Sequence, residues 1–155
     1  MWNEINNHND IVKFMNFVCF FHDSCIKEFR YLSGAYVDEE CSMYPINDQR
    51  VLNIIIQRQF SDASMIELEF AGIKYLKLLP CDEKHTCEIL DATLLLKGKY
   101  IYWCDCGGVL EEDLDSYNGT SICASKLRWR TIDGCMGNEE FYRPRDKTVE
   151  KTGDG

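Results

Sequence analysis

Three groups of side chains in this 155-residue chain have the types that chemistry requires. His22-Asp23-Ser24 contains a hydroxyl, a base and a carboxylate, the components of a hydrolase triad. Adjacency works against that reading, because a triad converges from distant segments and no nucleophile-elbow sequence surrounds Ser24. The same residues suit a helix exit, with His22 at the negative end of the helix dipole and Asp23 or Ser24 bonding free backbone groups. Cys81, His85, Cys87, Cys104 and Cys106 form the second group and are candidate zinc ligands, since zinc takes four soft or borderline donors. Cys104 and Cys106 share a strand face at i and i+2. The five-residue gap between Cys81 and Cys87 misses the usual paired-ligand spacing, so ordinary reduced thiols compete with the metal reading. The third group is acidic: Asp38-Glu39-Glu40 and Glu111-Glu112-Asp113-Asp115 could take Ca²⁺ or a basic partner. Neither set has the glycine and alternating oxygens of an EF-hand loop. Trp103 and Trp129, the second flanked by Arg128 and Arg130, are candidate binding aromatics beside those acids, or core residues with a polar edge.

Composition narrows the partners. Lys plus Arg number 17 and Asp plus Glu 26, a formal net charge of −9. Nucleic-acid binding needs clustered positive charge and is not expected. A basic protein partner is the natural complement of this surface. No P-loop, G-x-G-x-x-G or H-E-x-x-H sequence occurs, so no cofactor is expected. Nine cysteines cannot pair completely within one chain. The opening MWNEINNHND has no basic region and carries Glu4 and Asp10, and the apolar run Phe14 to Phe21 is short and broken by Asn16. That is neither a signal peptide nor a membrane span, which implies a cytoplasmic protein with reduced thiols.

The elements that must position these groups are mostly strands. Asp10 to Phe21 predicts one amphipathic helix, with Ile11, Phe14, Met15, Val18 and Phe21 on a stripe and Asp10 as N-cap. Ile26 to Tyr36 is an irregular strand ending in the acidic Asp38-Glu39-Glu40 turn. Arg50 to Phe60 directs Leu52, Ile54, Ile56 and Phe60 one way and Asn53, Gln57 and Gln59 the other. Met65 to Phe70 alternates cleanly, and Ala71-Gly72 reads as a hairpin turn into Ile73 to Leu79. Thr86 to Leu96 reads as one strand, joined by a Lys97-Gly98-Lys99 turn to Tyr100 to Cys104, which has no polar face and should be covered on both sides. An acidic connection over Gly107 to Gly119 leads to a last strand, Thr120 to Thr131. The pattern is mainly β (α+β): an antiparallel meander of about seven strands, as a curved sheet, sandwich or open barrel, with one N-terminal amphipathic helix. It forms a single domain over 1–133. The charge-rich 134–155 is expected to be a mobile tail in which Phe141 and Tyr142 alone could dock.

Trp2, the helix led by Asp10-Ile11, the segment Phe21-His22-Asp23-Ser24-Cys25-Ile26 and the run from Ala124 to Arg130 together resemble a group of small uncharacterised bacterial proteins, common in Firmicutes, that open with a helix and a Phe-His-Asp-Ser segment. The likeness covers about residues 2 to 132 and implies no particular activity. In size, charge and class the chain also resembles the immunity proteins of polymorphic toxin systems. That resemblance implies a non-enzymatic protein that binds a basic partner. The alternatives are a small-ligand binder or hydrolase-like enzyme with His22 and Asp23 at a pocket mouth, and a zinc module built from the cysteines and His85.

Overall fold

The computed structural model describes residues 1–84, 86–134 and 136–143. Asn7 opens the α-helix α1 (His8–Phe17): its side chain accepts the Asp10 N–H at 3.1 Å, while the Asp10 carboxylate accepts the Asn6 N–H at 3.0 Å. Two otherwise unpaired N–H groups are satisfied reciprocally. The expected N-cap is therefore corrected: Asn7 caps, and Asp10 acts from the third helical position. The expected helix is also too long. It stops at Phe17, and Cys19–Phe21 form a separate turn with φ of 49°, 54° and 62°. Left-handed backbone costs a non-glycine residue about 1–2 kcal/mol. The compensation is burial: the turn swings Phe21 into the interior, where it is fully covered and makes edge-on contacts with Phe14 at 5.6 Å and Trp103 at 6.2 Å. Burying such a ring is worth about 1.5–3 kcal/mol and each aromatic contact about 0.5–1.5 more.

The strands are β1 (Asn3–Ile5), β2 (Ser24–Leu32), β3 (Tyr36–Val37), β4 (Met43–Tyr44), β5 (Val51–Arg58), β6 (Met65–Lys77), β7 (Glu88–Ile89), β8 (Thr93–Lys97), β9 (Tyr100–Cys104) and β10 (Ser121–Thr131). Seven of them form an antiparallel curled sheet in the order β7-β2-β5-β6-β10-β9-β8, a half-barrel; β1 adds to the free edge of β10, and β3-β4 is a separate ribbon. Across the centre Leu52 faces Phe70, Ile54 faces Leu68 and Ile56 faces Ile66. These six side chains are fully buried on the concave face, on which α1 lies. Ile101 and Trp103 of β9 join them, while Tyr102 turns outward toward the Tyr75 ring at 6.4 Å.

One expected turn and one expected strand are corrected. Ala71-Gly72 closes no hairpin, because β6 runs straight through it for 13 residues. Its neighbour β10 is long enough to pair with both halves, so extended backbone wins over a reversal. Gly72, at φ +64°, marks instead the point where β6 leaves β5 and keeps β10 alone; a Cβ there would meet the Ser125 Oγ at 2.2 Å. Thr86 to Leu96 is not one strand. Glu88–Ile89 and Thr93–Lys97 lie at opposite edges of the sheet, and Leu90 to Ala92 step across the open side of the curl. From Ile89 to Thr93 the chain can span at most about 14 Å, so the edges are drawn close. The step is pinned to the Cys19–Phe21 turn: the Ala92 N–H donates to the Phe20 carbonyl at 2.9 Å.

The convex face carries a polar ladder. Glu67, 3% exposed, accepts from Arg130 at 2.6 Å and from the Tyr142 hydroxyl at 2.7 Å, and Glu69 pairs with Arg128 at 2.7 Å. Asn53 bridges both carboxylates, and Trp2 lies between the two guanidinium groups, each 4.5 Å from its ring centre. Tyr142 also donates its N–H to Glu28 at 3.0 Å, and the Gly137 carbonyl accepts from Lys27 and Gln57. The chain after Thr131 thus crosses the outer face as far as Tyr142. The rest of the expected tail, 144–155, lies outside the described residues, as does Cys135.

Phe21→Ala should cost about 3–5 kcal/mol of unfolding free energy. Phe20→Gly, at a half-exposed side chain with positive φ, should stay within about 1 kcal/mol of the parent, because relief of strain offsets added freedom of the unfolded chain. Urea unfolding of both variants checks the contrast.

Candidate functional site

The Phe21-His22-Asp23-Ser24 segment leaves the strained turn and enters β2. His22 Nδ1 donates to the Leu90 carbonyl at 2.6 Å, and its Nε2 lies 3.5 Å from the Asp23 carboxylate. The Ser24 hydroxyl, buried, donates to the main-chain carbonyl of His22 at 3.3 Å. The serine therefore addresses backbone and not the imidazole. An activated nucleophile would require that hydroxyl on a ring nitrogen. What the segment does is mechanical: it fastens the exit of the turn to the step between β7 and β8. The Leu90 carbonyl and then the Asp23 carboxylate favour the protonated ring and raise the His22 pKa above 6.5. Asp23 itself has φ of 53°, and its carbonyl accepts the Gln59 N–H at 2.9 Å.

Beside this segment is a residue that the sequence reading passed over. Arg58, directly opposite Ser24, continues the concave side of Leu52, Ile54 and Ile56 and is 4% exposed. Its guanidinium lies 4.5 Å over the Phe60 ring, donates to the Ala63 carbonyl at 3.0 Å and meets the Cys19 thiol, while Nε has no partner. Burial lowers its pKa. Only the parity of β5 signalled this: an arginine at the next inward position of an apolar face. A cleft of about 430 Å³ adjoins it, lined by Asp23, Ser24, Cys25, Arg58, Cys87 and Glu88 among others. His22 is not in its wall.

The two candidate tryptophans are linked through the helix: Trp103 belongs to the core, and Trp129 is half-buried against it. Trp129 stacks on Phe14 at 4.7 Å and meets Phe17 in a tilted contact at 5.0 Å; Phe14 meets Phe21, and Phe21 meets Trp103. Trp103 is fully buried, with its indole N–H unpartnered. The candidate zinc ligands separate into parts. Cys81 and Cys87 are exposed and their thiols are hydrogen-bonded to one another. Cys104 is buried at the end of β9, which pushes its thiol up to about 11 and holds it protonated at neutral pH. Cys106 is exposed in the next turn, its thiol on the Gly107 carbonyl. His85 lies outside the described residues. Among the described residues no three His, Cys, Asp or Glu side chains are placed to hold a metal ion, and no helix is long and apolar enough to cross a membrane. A cleft of about 630 Å³ between β1 and the β8–β9 hairpin contains none of the candidate residues; Glu4 and Glu69 face Lys99, Lys126 and Arg128 around it.

One expected acidic set stands on a distinct feature. Leu32 pairs with Val51, so residues 33–50 leave the sheet as an arm. The Ser33 carbonyl closes its neck, accepting from the Gln49 and Arg50 N–H groups at 3.1 and 3.2 Å. At its tip the Asp38 carboxylate accepts the Glu40 and Ser42 N–H groups, both at 2.9 Å, and thereby builds the turn. Glu39 and Glu40 are left to solvent. The ribbon β3-β4 stacks the rings of Tyr36 and Tyr44 at 4.7 Å. Around them Val37, Met43 and Ile46 are exposed, Met43 at 71%. Between Ser33 and Gln49 there are four carboxylates (Asp38, Glu39, Glu40, Asp48) and no Lys or Arg. The second acidic set is different: Glu111–Asp113 form a short turn that buries Leu114, and Glu111 pairs with Lys97.

No family model, curated protein or solved structure matches the chain.

Because its folded pKa is raised, His22 contributes stability in full below pH 6.5 and loses it as pH rises through the higher folded value. His22→Ala should therefore narrow its stability gap to the parent as pH goes from 5.5 to 8, in chemical unfolding at each pH. The His22 ring resonances in the parent should titrate with a midpoint above 6.5.

Proposed function

We propose that the protein is a non-enzymatic binding domain, immunity-like in kind, that uses the 33–50 arm against a basic protein partner in the cytoplasm. The observation that carries this reading is the arm itself. It is a locally hydrogen-bonded ribbon presenting Tyr36, Val37, Met43, Tyr44 and Ile46 to water, with four carboxylates and no Lys or Arg between Ser33 and Gln49; Arg50 stands at its neck. Exposed apolar side chains grouped in this way mark interaction surfaces, and tyrosine and methionine are enriched at interface centres. Carboxylates around an apolar centre steer a basic partner and reject acidic ones. An excursion of this length between two paired strands is long for a compact domain and fits a recognition element. The free thiols on the surface suit a reducing compartment. Against a hydrolase stands the bonding of Ser24 to backbone.

The test is capture of a partner from a bacterial lysate, its identification, and binding of the purified pair at low and moderate salt. The partner should be basic, and affinity should fall as salt rises. Tyr36→Ala with Tyr44→Ala should weaken binding at least tenfold, the scale of one central interface anchor, and leave the unfolding transition of the body unchanged. Glu39→Lys with Glu40→Lys should mainly slow association. Undiminished binding by both double variants would remove the arm from the interface.

A further inference from the structure

We propose that Cys81 and Cys87 form a dithiol modification site that closes to an intramolecular disulfide by exchange with low-molecular-weight disulfides of the glutathione class. Three observations meet here. Both thiols are exposed, and they are hydrogen-bonded to each other, so the sulfurs already stand side by side. Both line one small cavity of about 180 Å³, with Ile26, Phe29, Leu79 and Asp105 around them. Both lie in a stretch between β6 and β7 that contains no strand or helix among its described residues and is anchored beside them: Leu79 donates its N–H to Thr120 Oγ1 at 3.0 Å, and β7 pairs with β2. The backbone between the anchors is thus unconstrained by a ladder, and a bond that needs a short approach of two Cα atoms can form without breaking one.

The other cysteines differ. Cys19, Cys41 and Cys106 are exposed, but among the described residues none has a thiol hydrogen-bonded to it. Cys104 and Cys123 are buried, out of reach of a dissolved disulfide, whereas Cys81, whose thiol pKa is also raised by desolvation and by its bond to Cys87, stays exposed. Cys25 is half-buried and reaches the same cleft as Cys87 from β2, which makes it the competitor.

The exchange has two steps. One thiol of the pair gives its proton to solvent and, as thiolate, attacks the small disulfide; that S–S bond breaks, a protein–small-molecule mixed disulfide forms and one small thiolate leaves. The second thiol, also deprotonated, attacks the protein sulfur of the mixed disulfide and expels the second small thiolate. Two electrons pass from the protein dithiol to the small disulfide, and two protons go to solvent. The product is a seven-residue ring, Cys81 to Cys87, that fixes the lip of the cavity. Reduced glutathione reverses both steps.

The experiment uses the full chain equilibrated in glutathione buffers of increasing oxidised fraction, blocked with N-ethylmaleimide and digested with trypsin. Cleavage after Lys77, Lys84 and Lys97 places the two cysteines on separate peptides, 78–84 and 85–97. Those peptides should appear joined, with about 2 Da less than their summed reduced mass, at oxidised fractions where Cys19, Cys41 and Cys106 are still alkylated. Cys81→Ser should leave Cys87 carrying glutathione and abolish the joined product. In urea the preference for this pair should fall several-fold. The proposal is overturned by a dominant Cys25–Cys87 link, by glutathione spread evenly over the exposed cysteines, or by an unchanged preference in urea.

Discussion

The fold depends on a wedge of aromatic rings held inside an incompletely closed sheet. Phe14 from the helix and Phe21 from the turn after it touch each other and reach Trp129 on β10 and Trp103 on β9. The rings join the aliphatic side chains of the strands in one cluster on the concave face. The turn that brings Phe21 into it takes three consecutive left-handed residues. That exchange explains why the helix stops short. Continued to Phe21 it would keep its hydrogen bonds but carry Phe21 along the helix surface, away from the gap between β7 and β8. His22 belongs to the same arrangement: its bond to Leu90, with that of Ala92 to Phe20, ties the two edges of the sheet to the wedge.

The convex face is organised on another principle. Glu67 is buried under Tyr142 with Arg130 and Asn53 as partners. A buried carboxylate left without such partners would be strongly destabilising, and a fully paired one adds little net energy but fixes which groups must meet. Here it fixes the course of the chain after β10, which must lie across β5 and β6 to bring Tyr142 to Glu67. Trp2 between Arg128 and Arg130 fixes the N-terminal strand in the same way. Both ends of the described chain are therefore held to one face by charged residues on the central strands.

Body and arm divide the work. In the body the potential chemical groups are engaged in structure: Ser24 on a carbonyl, His22 on a strap, Trp103 in the core and Trp129 packed against it. In the arm exposed apolar side chains are grouped on one ribbon. Its carboxylate Asp38 shapes the turn, and its apolar side chains have no cover. A region ordered by its own hydrogen bonds while displaying Tyr36, Met43 and Ile46 is organised for contact with something outside the chain.

By itself the sequence determined the class of the fold. Period-two alternation in residues 51–58 and 65–70 reported a strand face buried against a core, the Lys97-Gly98-Lys99 turn reported a hairpin, and the spacing of Ile11, Phe14 and Met15 reported a helix laid on the sheet. These are local properties, set by backbone geometry and by which side of an element meets water. It also placed the acidic turn at Asp38, because a carboxylate bonding its own backbone needs only near neighbours. What it could not determine were outcomes decided by distant partners. Gly72 allows a hairpin or a bend, and only the length of β10 beside it chose the bend. Residues 86–96 are strand-forming throughout, and only curling of the sheet sent their two ends to opposite edges. Trp103 and Trp129 carry the same chemistry on a surface or in a core; contact with Phe21 accompanies full burial of Trp103, and contact with Phe14 leaves Trp129 half-covered at the core's edge. Arg58 stands at the next inward position of an apolar series, and only the chain after β5, folding over it at Phe60 and Ala63, made burial of that charge possible. Local periodicity is written in consecutive residues, whereas closure, bulges and burial of a charge depend on free energies that exist only when segments far apart in the chain have met.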